Sequence, residues 1–165
     1  RYDAENDFPI IRFSDVLLMK AEAEGFNGSS GSSVALINQI RARAGATTYP
    51  GTGAFNLAFY QYPTSGTNSI QNDADFKTAL FTERRLELAF ENHRFLDLVR
   101  SGEAVAKIRA YFDSEFALFY SNFTPNYASS EALQALVTQN RLLLPIPQRE
   151  IDTNDQIKIA QNPSY

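Results

Sequence analysis

Charges written into the apolar face of a helix leave a chain few ways to fold. Residues 81–102, FTERRLELAFENHRFLDLVRSG, carry that constraint. The apolar line of the helix they belong to runs Phe76, Ala79 and Leu80, then Leu86, Ala89 and Phe90. Helical spacing puts Glu83 and Glu87 on or beside this line. A carboxylate near a buried face needs a partner, because an unpaired charge withdrawn from water is costly. Arg84 and Arg85, with Arg94 and Asp97 of the following segment, are the candidates. Glu and Arg at i, i+1 and i+4 then make intrahelical pairs, and others reach the next helix and fix how the two cross.

The same run invites two chemical readings, and geometry disfavours both. A di-iron bundle uses Glu-x-x-His on one helix face, whereas Glu91 and the single histidine, His93, stand two apart. Zinc proteases need two histidines. A glycosidase needs two carboxylates across a cleft, roughly 5–10 Å apart. Glu83 and Glu87 lie at about 6 Å on one helix, but the arginines beside them keep both ionised and leave no general acid. No serine–histidine motif and no glycine-rich phosphate loop is present. The run therefore reads as structural, with His93 a turn residue or packed neighbour. No catalytic residue, metal or cofactor is expected.

Composition narrows the class. The 165 residues suffice for one domain with a core of its own. A hydrophobic share of 44% with 21% charged residues is that of a globular chain. The net charge of −4 and the lack of any Lys/Arg run argue against nucleic acid. Cysteine is absent, which removes disulfides, zinc thiolates and thiol catalysis. No apolar run approaches the ~18–20 residues of a membrane span. The opening RYDAENDFPIIRFS has no initiator Met, apolar signal or lipidation cysteine, and reads as the middle of a longer protein.

Along the chain, FPIIRF (8–13) reads as extended, with Ser14 capping a first helix that ends at Gly25 and Gly28. Ser32 or Ser33 caps a second helix whose Val34, Ile37, Ile40 and Ala44 share a face, with Gly45 in the C′ position. The two make a helix pair of tetratricopeptide-like length, without a second copy. Residues 47–72 form a long loop with five aromatics, and long loops concentrate function. Asn72 or Asp73 caps the third helix, and Asn92 ends it in a left-handed turn. HRFLDLVRSG is a short helix closed by Gly102. EAVAKIRAYFDSEFALFY and SSEALQALVTQN are helical, with SNFTPNYA as a turn between them. The segment up to Pro147 is extended, QREIDTN forms one helical turn, and QNPSY is a polar tail.

Four stretches, in order, resemble the C-terminal part of the SusD/RagB family: FPIIRFSDVLLMKAEAEG, ALINQIRARAG, TERRLELAFENHRFLDLVRSG, and LLPIPQREIDTN with the terminal QNPSY. The resemblance implies a mainly α fold, with a tetratricopeptide-like helix pair, further helices and long irregular loops. It implies a nutrient-capturing outer-membrane lipoprotein on the cell surface of Bacteroidota. Its partners would be an oligo- or polysaccharide, or a peptide, and a SusC-type TonB-dependent transporter that it covers as a lid. Family members are some three times longer, so the lipid anchor and much of the transporter contact belong to residues absent here.

Sugar rings stack on exposed aromatic faces, and amides bind their hydroxyls. The 47–72 loop offers Tyr49, Tyr60 and Tyr62, with Asn56, Gln61 and Asn68 beside them, as ligand-binding candidates. Phe55 and Phe59 read as plugs that anchor the loop. Tyr111, Phe112, Phe116, Phe119 and Tyr120 have helical spacing and read as core. The alternative function is a helical scaffold that docks on another protein and touches no sugar itself.

Overall fold

The computed structural model describes residues 10–116, 118 and 129–165. Among the described residues it is mainly helical and contains no β-strand beyond one isolated bridge. Seven α-helices follow in order: α1 (Phe13–Glu24), α2 (Ser32–Arg43), α3 (Asp73–Glu87), α4 (His93–Arg100), α5 (Ala104–Glu115), α6 (Ser130–Leu136) and α7 (Gln148–Thr153). The chain divides into two compact units, Arg1–Arg94 and Phe95–Tyr165.

The first unit is built on α1, α2 and α3. Its core joins Leu18 and Ala21 of α1, Val34, Ile37 and Ile40 of α2, and Phe76, Ala79 and Leu80 of α3, with Ile70 and Leu88 closing it. Burying a side chain of this size stabilises by about 1.5–3 kcal/mol. The expected face of α2 is present except at Ala44, which is exposed. Arg41 is buried on α2 instead.

The caps differ from expectation at two of three helices. α1 starts at Phe13 with Arg12 at the cap position, whose carbonyl accepts from the N–H groups of Asp15 (3.0 Å) and Val16 (3.3 Å). Ser14 is therefore not the cap. It lies buried inside the first turn, where its hydroxyl accepts from the Arg12 guanidinium. α2 has Gly31 at the cap position, not Ser32 or Ser33. The side-chain acceptor there comes from the preceding turn, since Asn27 Oδ1 accepts from the Ser33 backbone N–H (3.4 Å) and hydroxyl (2.8 Å). A Cβ on Gly31 would collide with that same Asn27. α3 is capped as the sequence reads, by Asn72 Oδ1 accepting from Asp75 N–H at 2.9 Å.

α3 stops at Glu87, one turn sooner than its apolar pattern implies. Phe90 and Asn92 both take positive φ, 67° and 63°. Leu86 faces solvent from within α3, Ala89 and Phe90 do so beyond its end, and Leu88 fills the core. Phe90 is fully exposed, at 103%. A left-handed backbone is unusual for a bulky residue.

In the second unit, α4 closes through Gly102, with φ 77°. α5 and α6 are tied by Arg109, which donates to the carbonyls of Gln134 (3.2 Å) and Val137 (2.8 Å). Ser129 caps α6 by accepting from Ala132 N–H. The segment before α7 is held by the chain end. Gln161 pairs with both the N–H (2.8 Å) and carbonyl (2.9 Å) of Ile146, and Asn162 donates to Leu144 O. The aromatic cluster is not a sealed core where it is described. Tyr111 is exposed and Phe112 and Phe116 are half-buried. Phe119, Tyr120 and the SNFTPNYA turn lie outside the described residues.

Candidate functional site

The charged run of α3 takes its described partners from elsewhere in the first unit, not from its own neighbouring turns. Glu83 Oε2 accepts from Arg41 of α2 at 2.7 Å, and Arg84 donates to Asp15 of α1 at 2.8 Å. All four side chains are 5% exposed. Glu87 receives Arg12 and Arg43, and Glu91 receives Arg12 Nε at 2.9 Å. The described bonds of Glu83, Arg84, Glu87 and Glu91 therefore run between segments. The reason is burial: a charge on the core face reaches whatever shares that face, and here that is α1 and α2.

These contacts set the protonation of the carboxylates. Burial pushes Glu83 above the ordinary carboxylate range, against the pull of the Arg41 hydrogen bond and charge. Burial raises Glu87 too, but hydrogen bonds from Arg12, Ser14 and Arg43 outweigh it and hold the group below its usual range. Glu83 is sealed from solvent, so no substrate reaches it. Among the described residues, no group of three side chains able to hold a metal is gathered anywhere.

Arg41 does more than neutralise Glu83. Its Nε and Nη2 donate to the Tyr60 carbonyl at 3.1 and 2.8 Å, and Nη2 also donates to the Leu57 carbonyl. Its guanidinium lies 5.4 Å from the centre of the Tyr62 ring, within reach of a cation–π contact. Asn38, one turn earlier on α2, holds Tyr62 through both main-chain groups: the side-chain N–H₂ donates to Tyr62 O and Oδ1 accepts from Tyr62 N, each at 2.8 Å. A parallel bridge between Thr47 and Tyr60 closes the loop on itself. Together these bonds give the 47–72 loop a fixed path over α2.

On that path the aromatics pack against each other. Tyr49 meets Phe55 and Tyr60 edge-on, each at 5.3 Å between ring centres, and Phe55 lies 6.3 Å from Tyr60 and from Tyr62. Phe55, expected as a plug, is half-buried among the loop's own rings. Phe59 is not a plug, because it is 64% exposed. It follows Asn56 and Ala58 in a turn whose Asn56 Oδ1 accepts from Ala58 N–H, and that turn points it away.

Beside this cluster lies an open cleft of about 470 Å³, within the size range of small-ligand sites. Tyr49, Gln61 and Tyr62 line it, with Asn38, Thr48, Pro50, Gly51, Pro63 and the run Thr64–Asn68. Tyr60 and Asn56 are not among its lining residues. Gln61 turns its side-chain N–H₂ to Ala46 O at 2.9 Å, and Tyr49 donates its hydroxyl to Gly53 O at 2.7 Å. Burial pushes the Tyr62 phenol up to about 12, so it stays neutral at any physiological pH. Asn38 and Arg41 escaped the sequence reading. The only signal for them was a polar and a charged residue, three apart, on an otherwise apolar helix face.

The first unit thus carries a loop-built, uncharged cleft lined by tyrosines on a helical scaffold. The profile of the SusD family matches residues 1–165, and the chain belongs to that family of binding proteins. It is similar to two curated proteins of Formosa agariphila. SusD-like protein P38 is 34% identical over 97 residues, covering 58% of this chain and 17% of that protein. SusD-like protein P25 is 27% identical over 154 residues, covering 93% and 24%. The chain thus spans about a quarter or less of the length of these relatives.

Proposed function

We propose that the chain contributes to nutrient capture by a SusD-type protein, with a glycan as the ligand and the cleft at the 47–72 loop as its contact. The protein acts by binding rather than by catalysis. The observation that carries the reading is the cleft itself: tyrosine walls and a rim of hydroxyls and amides, on a chain whose family is built for binding. Tyr49, Tyr62 and Gln61 are the contact residues the geometry favours, with Tyr60 supporting Tyr49 from behind and Asn56 shaping the loop. The whole protein would work at the outer face of the outer membrane, lipid-anchored, as partner of a SusC-type TonB-dependent transporter. Peptide is the second nutrient class to test. Among the described residues no helix is long and apolar enough to cross a membrane.

The test is a glycan-array screen of the chain followed by titration calorimetry on each hit. Binding that falls at least about tenfold in Tyr49→Ala, with an unchanged circular dichroism spectrum, supports the reading; tenfold corresponds to about 1.4 kcal/mol. A folded chain that binds no glycan refutes it. The docking scaffold then takes its place, favoured by the exposed side chains of Ile10, Phe13 and Phe90.

A further inference from the structure

Resting on that reading, we infer that the cleft at the 47–72 loop selects an uncharged saccharide and excludes uronates and sulfated sugars. None of the thirteen lining residues carries a charge. The rim is made of Thr64, Ser65, Thr67 and Asn68, whose groups exchange hydrogen bonds with water or with sugar hydroxyls on equal terms. Tyr49 and Tyr62 line the walls and add apolar surface without charge. The nearest cation in the loop's framework, Arg41, is unavailable. It is buried, paired with Glu83 and bonded to two main-chain carbonyls. An anionic sugar entering the cleft would lose hydration and meet no counter-charge among the described lining residues, which burial makes costly. A neutral sugar trades one set of hydrogen bonds for another.

The experiment compares binding of the chain to neutral oligosaccharides and to their uronate and sulfate-ester counterparts, at about 50 and 500 mM salt, which bracket weak and strong screening. Thr64→Ala and Asn68→Ala, both at exposed positions, are measured alongside with circular dichroism as a fold control. The expected result is binding to neutral sugars, unchanged by salt, and weakened about fivefold by each variant, the value of one hydrogen bond. Preference for anionic sugars that fades with salt overturns the inference while leaving glycan capture intact. Neutral binding that ignores both variants moves the site out of this cleft and overturns it too. No binding to any sugar, or binding to peptides alone, removes the glycan reading along with it.

Discussion

The two ends of α3 carry the same kind of ion pair in opposite surroundings. At the start of the helix Lys77 and Asp73 pair at 2.7 Å, i,i+4, with side chains 65% and 61% exposed. Toward its end Glu83 and Arg41 pair at the same 2.7 Å, with both side chains 5% exposed. Distance does not distinguish them. What differs is the medium, and with it the cost of losing one partner. An exposed pair of this kind is worth about 0.3–0.5 kcal/mol. Removing one member of a buried pair costs about 3–5 kcal/mol, because the survivor stays buried and uncompensated.

The largest effect should follow Arg41→Ala. It strands Glu83 in the core and frees the carbonyls of Leu57 and Tyr60. The expected loss of about 3–5 kcal/mol lowers Tm by roughly 6–20 °C, at about 2–4 °C per kcal/mol for a chain of this length. The double variant Arg41→Met with Glu83→Leu should recover most of it, since no charge is then left without a partner. If Arg41→Ala shifts Tm by less than about 2 °C, the pair is exposed in solution and the contrast between the helix ends disappears.

A smaller effect should appear in the acid limb of stability, and it sets Glu87 against Glu83. Glu87 is held below its ordinary value of 4.5. It therefore contributes stability that is present above that value and lost as pH falls through the lowered one. Glu83 is raised by burial, so its contribution has the opposite sign, present below 4.5 and lost as pH rises through the raised value. Thermal melts between about pH 3 and pH 6, spanning the carboxylate range, should show a flatter acid limb for Glu87→Gln than for the unaltered chain. A steeper limb for that variant would reverse the assignment. The smallest effect belongs to Lys77→Ala: a Tm change under about 2 °C that vanishes in high salt.

How much of this was legible beforehand depended on how local the cause was. The Asn72 cap, the Gly25, Gly45 and Gly102 endings and the turn after Pro147 are written within a few residues of where they act. Those readings match the structure. The Ser14 and Ser32 caps do not form because a preceding side chain engages each serine: Arg12, two residues before Ser14, and Asn27, five before Ser32. The apolar line through Phe90 fails because helical periodicity says nothing of where a helix ends, and α3 ends at Glu87. The loop showed its aromatics but not its shape. That shape depends on Arg41 and Asn38, between 16 and 24 residues away from the groups they hold.

The bonds that fix the loop have one property in common. Arg41 reaches the carbonyls of Leu57 and Tyr60, and Asn38 reaches the N–H and carbonyl of Tyr62. All are main-chain groups, which every residue at those positions supplies except a proline in place of Tyr62. The grip is therefore blind to the letters it grips. Side chains facing the cleft can be rewritten while the clasp on α2 stays in place, much as a lens is changed on a fixed mount. A chain made this way can change the surface of its loop without renegotiating how it folds.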